Sequence, residues 1–350
     1  MTLAAIDLFA GVGGLSLGFK QAGFNVVLAN EYDQAIAESY SRNHPGTQLI
    51  VDDIENVDLT GTFRTYSHEV DIVVGGPPCQ GFSQKGQRRT IHDQRNYLFK
   101  NFVKVVEIVR PKFFLMENVP NLLTAEQGLF KREVLNLFGS LGYEVTADTL
   151  NAADYGVPQN RRRAFILGKY GSSAPTLAPR PNKQATVWNA ISDLAYLESG
   201  EGTIVSEYRK EIQSDLQRYL RQGSTELYNH VATKHSKTAL ERMSLIPPRG
   251  GREDLPPEHH TKSIYSGTWG RMDKDDRAVT ITTRFDTPSS GRFTHPFLNR
   301  AITVREAARL QSFPDTFRFY GTKSSQMQQV GNAVPPLLAR HLAASIRAQA

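Results

Sequence analysis

The chain has 350 residues, 39% hydrophobic and 22% charged, a balance that gives no sign of disorder and suits one large lobe carrying a smaller one. Its single cysteine, Cys79, excludes an internal disulfide and any multi-cysteine zinc or iron–sulfur site, so no metal is expected. The net charge is +6; no apolar run reaches the ~18 residues of a membrane span and no basic region precedes the first one as in a signal peptide, so a cytoplasmic protein is expected.

Residues 3–9, 26–30, 49–53, 71–76, 113–118 and 164–169 are short apolar runs ended by Gly, Asp or Asn, which read as buried strands. Helical patterns lie between them at 14–23, 33–43, 97–109 and 130–141; in the third, Leu98, Phe102, Val105 and Val109 share a face. The alternation predicts an α/β fold with a mostly parallel sheet, whose ligands sit beyond the carboxyl ends of the strands. From about residue 175 the alternation stops, and PPRGG at 247–251 and PPEHH at 256–260 mark loops. The expected division is therefore a first domain of 1–179 and 286–350 and a second of 180–285. Thr303 and Glu306 form a capping box for a helix at 303–311, Pro335 and Pro336 open another, and both are expected to return to the first domain.

The first strand runs into a turn where Gly11, Gly13 and Gly14 permit close backbone approach to a ligand, although a plain tight turn accounts for them equally well. Ser16 stands where a dinucleotide fingerprint would have its third glycine. Glu31 ends the second strand, suitably placed to accept the two hydroxyls of a ribose; Asp53 ends the third, as an acceptor for an adenine amino group or as a helix cap. Cys79 follows two prolines after the fourth strand and precedes a polar loop, an unusual setting for a core thiol. Residues 84–100 hold five cations against one acid, which makes a polyanionic partner plausible beside a bland solvated face. Glu117 ends the fifth strand, as a cap or as a carboxyl in need of a partner. In QNRRR at 159–163, strand alternation sends Arg161 and Arg163 to one face and Arg162 to the other, so two guanidinium groups can converge.

Taken in order, DLFAGVGG at 7–14, Glu31, Asp53, GGPPCQGFS at 75–83, ENV at 117–119, QNRRR, TVREAARLQSFP at 303–314 and GNAVPP at 331–336 resemble the motifs of the DNA cytosine-5 methyltransferase family, bacterial restriction–modification type, over almost the whole chain. The resemblance implies a Rossmann-like sheet with a target-recognition lobe, S-adenosylmethionine as cofactor, double-stranded DNA as partner, and a monomer with a possible companion endonuclease. It implies Cys79 as nucleophile on carbon 6 of the cytosine, with Glu117 at ring nitrogen 3, Arg163 at the ring oxygen and Arg161 beside them. Phe9, Ala10, Gly11, Val12, Gly13, Gly14, Glu31, Tyr32, Asp53, Ile54, Pro78, Leu98, Asn332 and Val334 are implied in cofactor binding. Gln80, Ser83, Lys85, Arg88, Arg89, Arg95, Thr280 and Arg284 are candidate DNA contacts, the first six in a segment expected to close on a flipped base. Competing expectations are a transfer-RNA cytosine methyltransferase of the same fold, a DNA-binding relative without catalysis, and a nicotinamide-dependent oxidoreductase.

Overall fold

The computed structural model describes residues 2–78, 97–171, 173–179, 181, 184–261 and 267–350. Two compact units share them: the first comprises 1–151, 162–181 and 336–350, the second 152–161 and 182–335.

The first unit follows the predicted alternation: β1 (Ala4–Leu8), α1 (Gly14–Gln21), β2 (Asn25–Glu31), α2 (Gln34–Asn43), β3 (Gln48–Val51), α3 (Leu59–Phe63), β4 (Ile72–Gly75), α4 (Tyr97–Val109), β5 (Phe113–Asn118), α5 (Asn121–Ser140), β6 (Tyr143–Asn151) and β7 (Arg162–Tyr170). The seven strands lie in the order β3-β2-β1-β4-β5-β7-β6. The first five are parallel, and β7 is antiparallel to β5 and β6. Strand order reverses between β1 and β4, which opens a crevice at the carboxyl edge of the sheet. Because β7 runs antiparallel, its first residues stand at that same edge, with Ala164 opposite Asn118 and Phe165 opposite Glu117.

The core of this unit is apolar. Phe99, Phe102, Phe114 and Phe138 are buried together, and Phe114 and Phe138 stack at 3.9 Å between ring centroids. Such aromatic pairs add stabilisation beyond their buried area. Strand β6 has no apolar run: polar residues alternate along a strand at the sheet's edge, so hydrophobicity did not announce it. Helix α5 begins nine residues before its predicted start, directly after Pro120.

The second unit contains α6 (Val187–Ile191), β8 (Gly202–Ser206), α7 (Asp215–Leu220), β9 (Leu227–Val231), α8 (Lys237–Leu245), α9 (Val304–Leu310) and α10 (Lys323–Asn332). Helix α11 (Pro336–Arg347) closes the chain and belongs to the first unit. There it packs on α1: a methyl group on Gly18 would lie 2.4 Å from Ala339 Cβ, so only glycine permits the approach.

The unit boundaries differ from the sequence expectation. Residues 286–335, expected with the first domain, pack in the second unit together with 152–161, and only α11 returns as expected. The reason lies in α9, all seven residues of which are buried. Arg309 there reaches Asp193 and Asp315, Arg305 donates to the carbonyls of Tyr228 and Phe317, and Arg300 makes a two-pronged pair with Glu306. These bonds fix the helix among residues 190–230.

Among the described residues no helix is long and apolar enough to cross a membrane, and no group of three or more His, Cys, Asp or Glu is placed to hold a metal ion.

Candidate active site

Five strand ends supply the site of the first unit. After β1 the chain turns through Phe9, Gly11 and Gly13, all with positive φ (56°, 57° and 91°). The turn leads into α1, whose first N–H groups are the natural seat of a polar or anionic group. Among the described residues, a methyl group on Gly11 would meet nothing within 4 Å, so that face of the turn is open to them. A methyl group on Gly13 would lie 2.2 Å from the buried His44 ring, so glycine is required there by packing as well as by φ. Val12 and Gly14 are buried, and Ala10 N–H donates to the Asn30 carbonyl.

Beneath the turn lies a polar chain that the sequence did not reveal. Asp7, fully buried one residue before the end of β1, accepts from the Ser16 backbone N–H (3.2 Å) and hydroxyl (2.6 Å), and the Ser16 hydroxyl also bonds Tyr40 (2.7 Å). The strand thus caps α1 from below. Burial pushes the Asp7 carboxyl up to about 7 against the lowering effect of Ser16. Burial, reinforced by Lys20, holds His44 down at about 3, so its imidazole is neutral.

At the end of β2, Glu31 is 5% exposed and its two oxygens are shared out: Oε2 accepts from Gly11 N–H and Oε1 from Asp33 N–H, both at 2.9 Å. Burial pushes this carboxyl up while the two backbone donors oppose it. Each oxygen retains lone-pair capacity for a further donor. Tyr32, next in sequence, is 71% exposed. Asn30 ties the second strand end to the third by donating to the carbonyls of Ile50 and Asp52. Asp53 accepts from Glu55 N–H and so opens a turn; the helix that follows, α3, is capped instead by Asp58, whose carboxylate accepts from Gly61 N–H, so the helix-cap use expected of Asp53 is not found. Ile54 and Leu98 are buried in one apolar cluster with Leu8.

At the end of β4 the described chain reaches Pro78, which is exposed; Cys79, Gln80, Ser83, Lys85, Arg88, Arg89 and Arg95 lie outside the described residues. Asn118 donates to the Pro77 carbonyl (2.8 Å), so the end of β5 holds the approach to the cysteine. Glu117, beside it, pairs with Arg163: Oε1 lies 3.0 Å from Nε, with the side chains 13% and 19% exposed. The parallel-to-antiparallel switch at β5 and β7 makes this meeting possible.

Arg161 belongs to the second unit, where it is 1% exposed and donates to the Ile281 carbonyl. Of the two guanidinium groups expected to converge, Arg163 is therefore the one that meets Glu117. Thr280 donates its hydroxyl to the Asn160 carbonyl, and Arg284 is exposed. Asn332 ends α10, and Val334 is buried in the following turn. Asn30, Asn118, Asp7 and His44 escaped the sequence reading because each acts on a neighbouring backbone or ring, a role without a spacing pattern.

The residues fit the adenosyl and methionyl parts of S-adenosylmethionine: an open glycine turn at a helix start, a buried carboxylate with spare acceptor capacity, and an exposed aromatic ring at one sheet edge.

A family model for C-5 cytosine-specific DNA methylase matches residues 3–348. Type II methyltransferase M1.HphI of Haemophilus parahaemolyticus is 40% identical, covering 99% of this chain and 87% of its own. Type II methyltransferase M.DdeI of Desulfomicrobium norvegicum is also 40% identical, covering 97% and 88%. Among solved structures, an E. coli prophage chain described as a DNA modification methyltransferase superposes with a TM-score of 0.81 at 28% identity, covering 99% of each chain. Spodoptera frugiperda DNMT2 shares the fold with a TM-score of 0.64 at 14% identity, covering 99% of this chain and 100% of its own.

Proposed function

The chain belongs to the C-5 cytosine-specific DNA methylase family, and on that premise we propose how its residues move a methyl group from S-adenosylmethionine to carbon 5 of a cytosine in duplex DNA. The Glu117–Arg163 pair at the carboxyl edge of the sheet, 3.0 Å apart, is the observation that carries the reading. Carbon 5 is a weak nucleophile. Addition of the Cys79 thiolate to carbon 6 pushes electrons toward carbon 5 and divides one hard step into easier ones. Glu117 hydrogen-bonds ring nitrogen 3 and draws charge there as the thiolate adds, while Arg163 orients the carboxyl and holds the ring oxygen.

Bound in the crevice, S-adenosylmethionine supplies a methyl group activated by its sulfonium. Glu31 accepts the ribose hydroxyls, and the open side of Gly11 admits the methionyl part. Phe9, Tyr32, Asp53 and Ile54 frame the adenine; Pro78, Leu98, Asn332 and Val334 complete the set. After transfer, the carbon 5 proton leaves to a base such as water, and expulsion of the Cys79 thiolate restores the aromatic ring. Because these atoms are shielded inside a duplex, the nucleotide must turn out of the stack at a cost of a few kcal/mol, offset by protein contacts. Residues 180–285 are the target-recognition region, with Thr280 and Arg284 facing DNA and Lys85, Arg88, Arg89 and Arg95 meeting phosphate. The protein acts as a cytoplasmic monomer that protects DNA against a companion endonuclease.

The test supplies labelled S-adenosylmethionine with duplex DNA and, in parallel, with transfer RNA. Label should enter duplex cytosine, DNA containing 5-fluorocytosine should be trapped covalently, and Cys79→Ala should abolish both. Retention of transfer by Cys79→Ala, or label in transfer RNA alone, overturns the reading.

A further inference from the structure

The second unit contains two fully buried glutamines whose amides form one directed chain. Gln159 Oε1 accepts from Ile281 N–H (2.7 Å), and Gln159 Nε2 donates to the Gln311 Oε1 (2.9 Å) and to the Leu310 carbonyl (3.2 Å). Gln311 Nε2 then donates to the Val330 carbonyl (2.7 Å). The donor at Ile281 and the acceptor at Val330 fix the sense of both amides, so neither can flip without leaving buried groups unmatched. Four segments distant in sequence are thereby joined: 159–161, 278–283, 310–311 and 330–333. Around the chain, Asn160 N–H donates to the Ala278 carbonyl, Ala278 N–H to the Pro158 carbonyl, and Arg161 to the Ile281 carbonyl. The backbones of Gly331 and Thr282 also touch, since a methyl group on Gly331 would lie 2.5 Å from the Thr282 carbonyl.

We propose that Gln159 and Gln311 are positioning residues that lock the segment ending in Asn332 and Val334 to the segment Thr280–Arg284, so that occupancy of the cofactor site tightens the DNA-facing segment. The proposal rests on the methyltransferase reading, which gives Asn332 and Val334 to the cofactor and Thr280 and Arg284 to DNA. Its physical basis is the stiffness of a buried amide chain. A hydrogen bond weakens steeply with distance and angle, and an orphaned buried amide loses its solvation without recompense, so displacement of the Val330 carbonyl is followed by Gln311, Gln159 and Ile281 rather than absorbed between them. An apolar core at these positions would fill the same space and transmit no direction. Packing alone explains neither the matched donor–acceptor order nor its placement between these two segments.

The experiment uses the whole chain and S-adenosylhomocysteine as probe, with amide hydrogen exchange followed at residues 280–284. In the parent, the probe should slow exchange there at least fivefold. In Gln311→Met, which keeps volume and removes the amide, the slowing should fall below twofold while probe affinity changes less than threefold. Gln159→Met should behave alike, and the double variant should add nothing further, because one break interrupts the chain. Where Gln311→Met does not fold, Gln311→Asn retains an amide too short to span the gap and gives the same readout. Equal protection in parent and variants overturns the proposal, as does absence of protection in a parent that binds the probe. Methyl transfer to duplex DNA is measured separately on the parent: relayed protection without methyl transfer sinks the enzymatic reading and leaves the relay standing.

Discussion

The two compact units solve the same problem of burying a core with opposite chemistry. The first buries phenylalanines and branched aliphatic residues between a sheet and its helices, and its buried polar groups, such as Asp7 with Ser16, are fewer and stand mainly around the strand ends and the start of α1. The second buries charge: Arg300, Arg305, Arg309, Glu306 and Asp315 have no exposed side-chain surface, and Asp193 is 1% exposed. Burial pushes Glu306 up, yet Arg300 beside it holds the carboxyl well below the usual range; Arg309 and Arg305 do the same for Asp315. An apolar core tolerates the loss of one contact. A charged one leaves an uncompensated ion behind.

The largest test of this difference removes Arg309. Arg309→Met keeps most of the volume but removes the main partner of two buried carboxylates, leaving Asp193 with Arg221 alone and Asp315 with Arg305 and the Tyr208 hydroxyl, and it should cost about 3–5 kcal/mol, almost all of it from the second unit. Both tryptophans of the chain, Trp188 and Trp269, belong to that unit, so tryptophan fluorescence during urea unfolding reports it selectively. The fluorescence midpoint should fall sharply while the circular dichroism of the first unit's sheet persists. Parallel loss of both signals would mean that the two units do not differ in the way their cores suggest.

Acid gives the next largest effect. His230 and His295 are held down at about 4 and 3, from an ordinary 6.5, chiefly by burial. Glu306 raises both, while Arg300 opposes it at both, joined by Arg309 at His230 and by Arg271 at His295. His295 Nδ1 accepts the backbone N–H groups of Phe297 and Leu298, so its 3.9 Å approach to Glu306 joins a neutral ring to a carboxylate. A depressed folded value means that the stabilising contribution is fully present above pH 6.5 and is lost as pH falls toward the folded value, at roughly 1.4 kcal/mol per histidine per pH unit. In the first unit His44 behaves likewise, but Asp7, raised to about 7, has the opposite sign: its contribution is complete below its ordinary 3.8 and is lost as pH rises through 7. Between pH 6.5 and 4 these two offset one another in the first unit, whereas the two histidines of the second add. Tryptophan fluorescence should therefore change at higher pH than circular dichroism; coincident acid transitions would count against this assignment.

The same contrast explains what the sequence disclosed. All six predicted strands exist, because a sheet covered on both faces writes itself as apolar runs with turn residues at their ends. Glu31 and Glu117 were legible for the same reason, as acids standing where such runs stop. Strand β6 was missed because an edge strand needs no apolar face. In the second unit the cohesion comes from guanidinium groups donating to carbonyls, as Arg271 does to Ile246, His295, Leu298 and Met243. Such bonds leave no periodic trace, so TVREAARLQ disclosed its capping box but not the unit it packs in. Gln159 and Gln311 stood in quoted motifs without a role for the same reason: a buried amide chooses its partner by position in space.

The finest test lies at that capping box. Thr303 Oγ1 accepts from Glu306 N–H (3.1 Å), and Glu306 Oε2 accepts from Thr303 N–H (2.7 Å). His230 Nδ1 lies 3.0 Å from the same hydroxyl, and its Nε2 faces the Leu194 carbonyl at 3.1 Å, which requires Nε2 to carry the proton and Nδ1 to accept from Thr303. Thr303→Val keeps the shape and orphans both partners, and should cost about 1 kcal/mol, the ordinary worth of a helix cap. Thr303→Ser restores the hydroxyl and should recover most of that loss. The fluorescence midpoint in urea at constant slope is the measurement. Recovery by serine separates a hydrogen-bonded core from one that only fills space: were the second unit held by volume, as the first is, valine would be neutral and serine, lacking the methyl group, would be the damaging change.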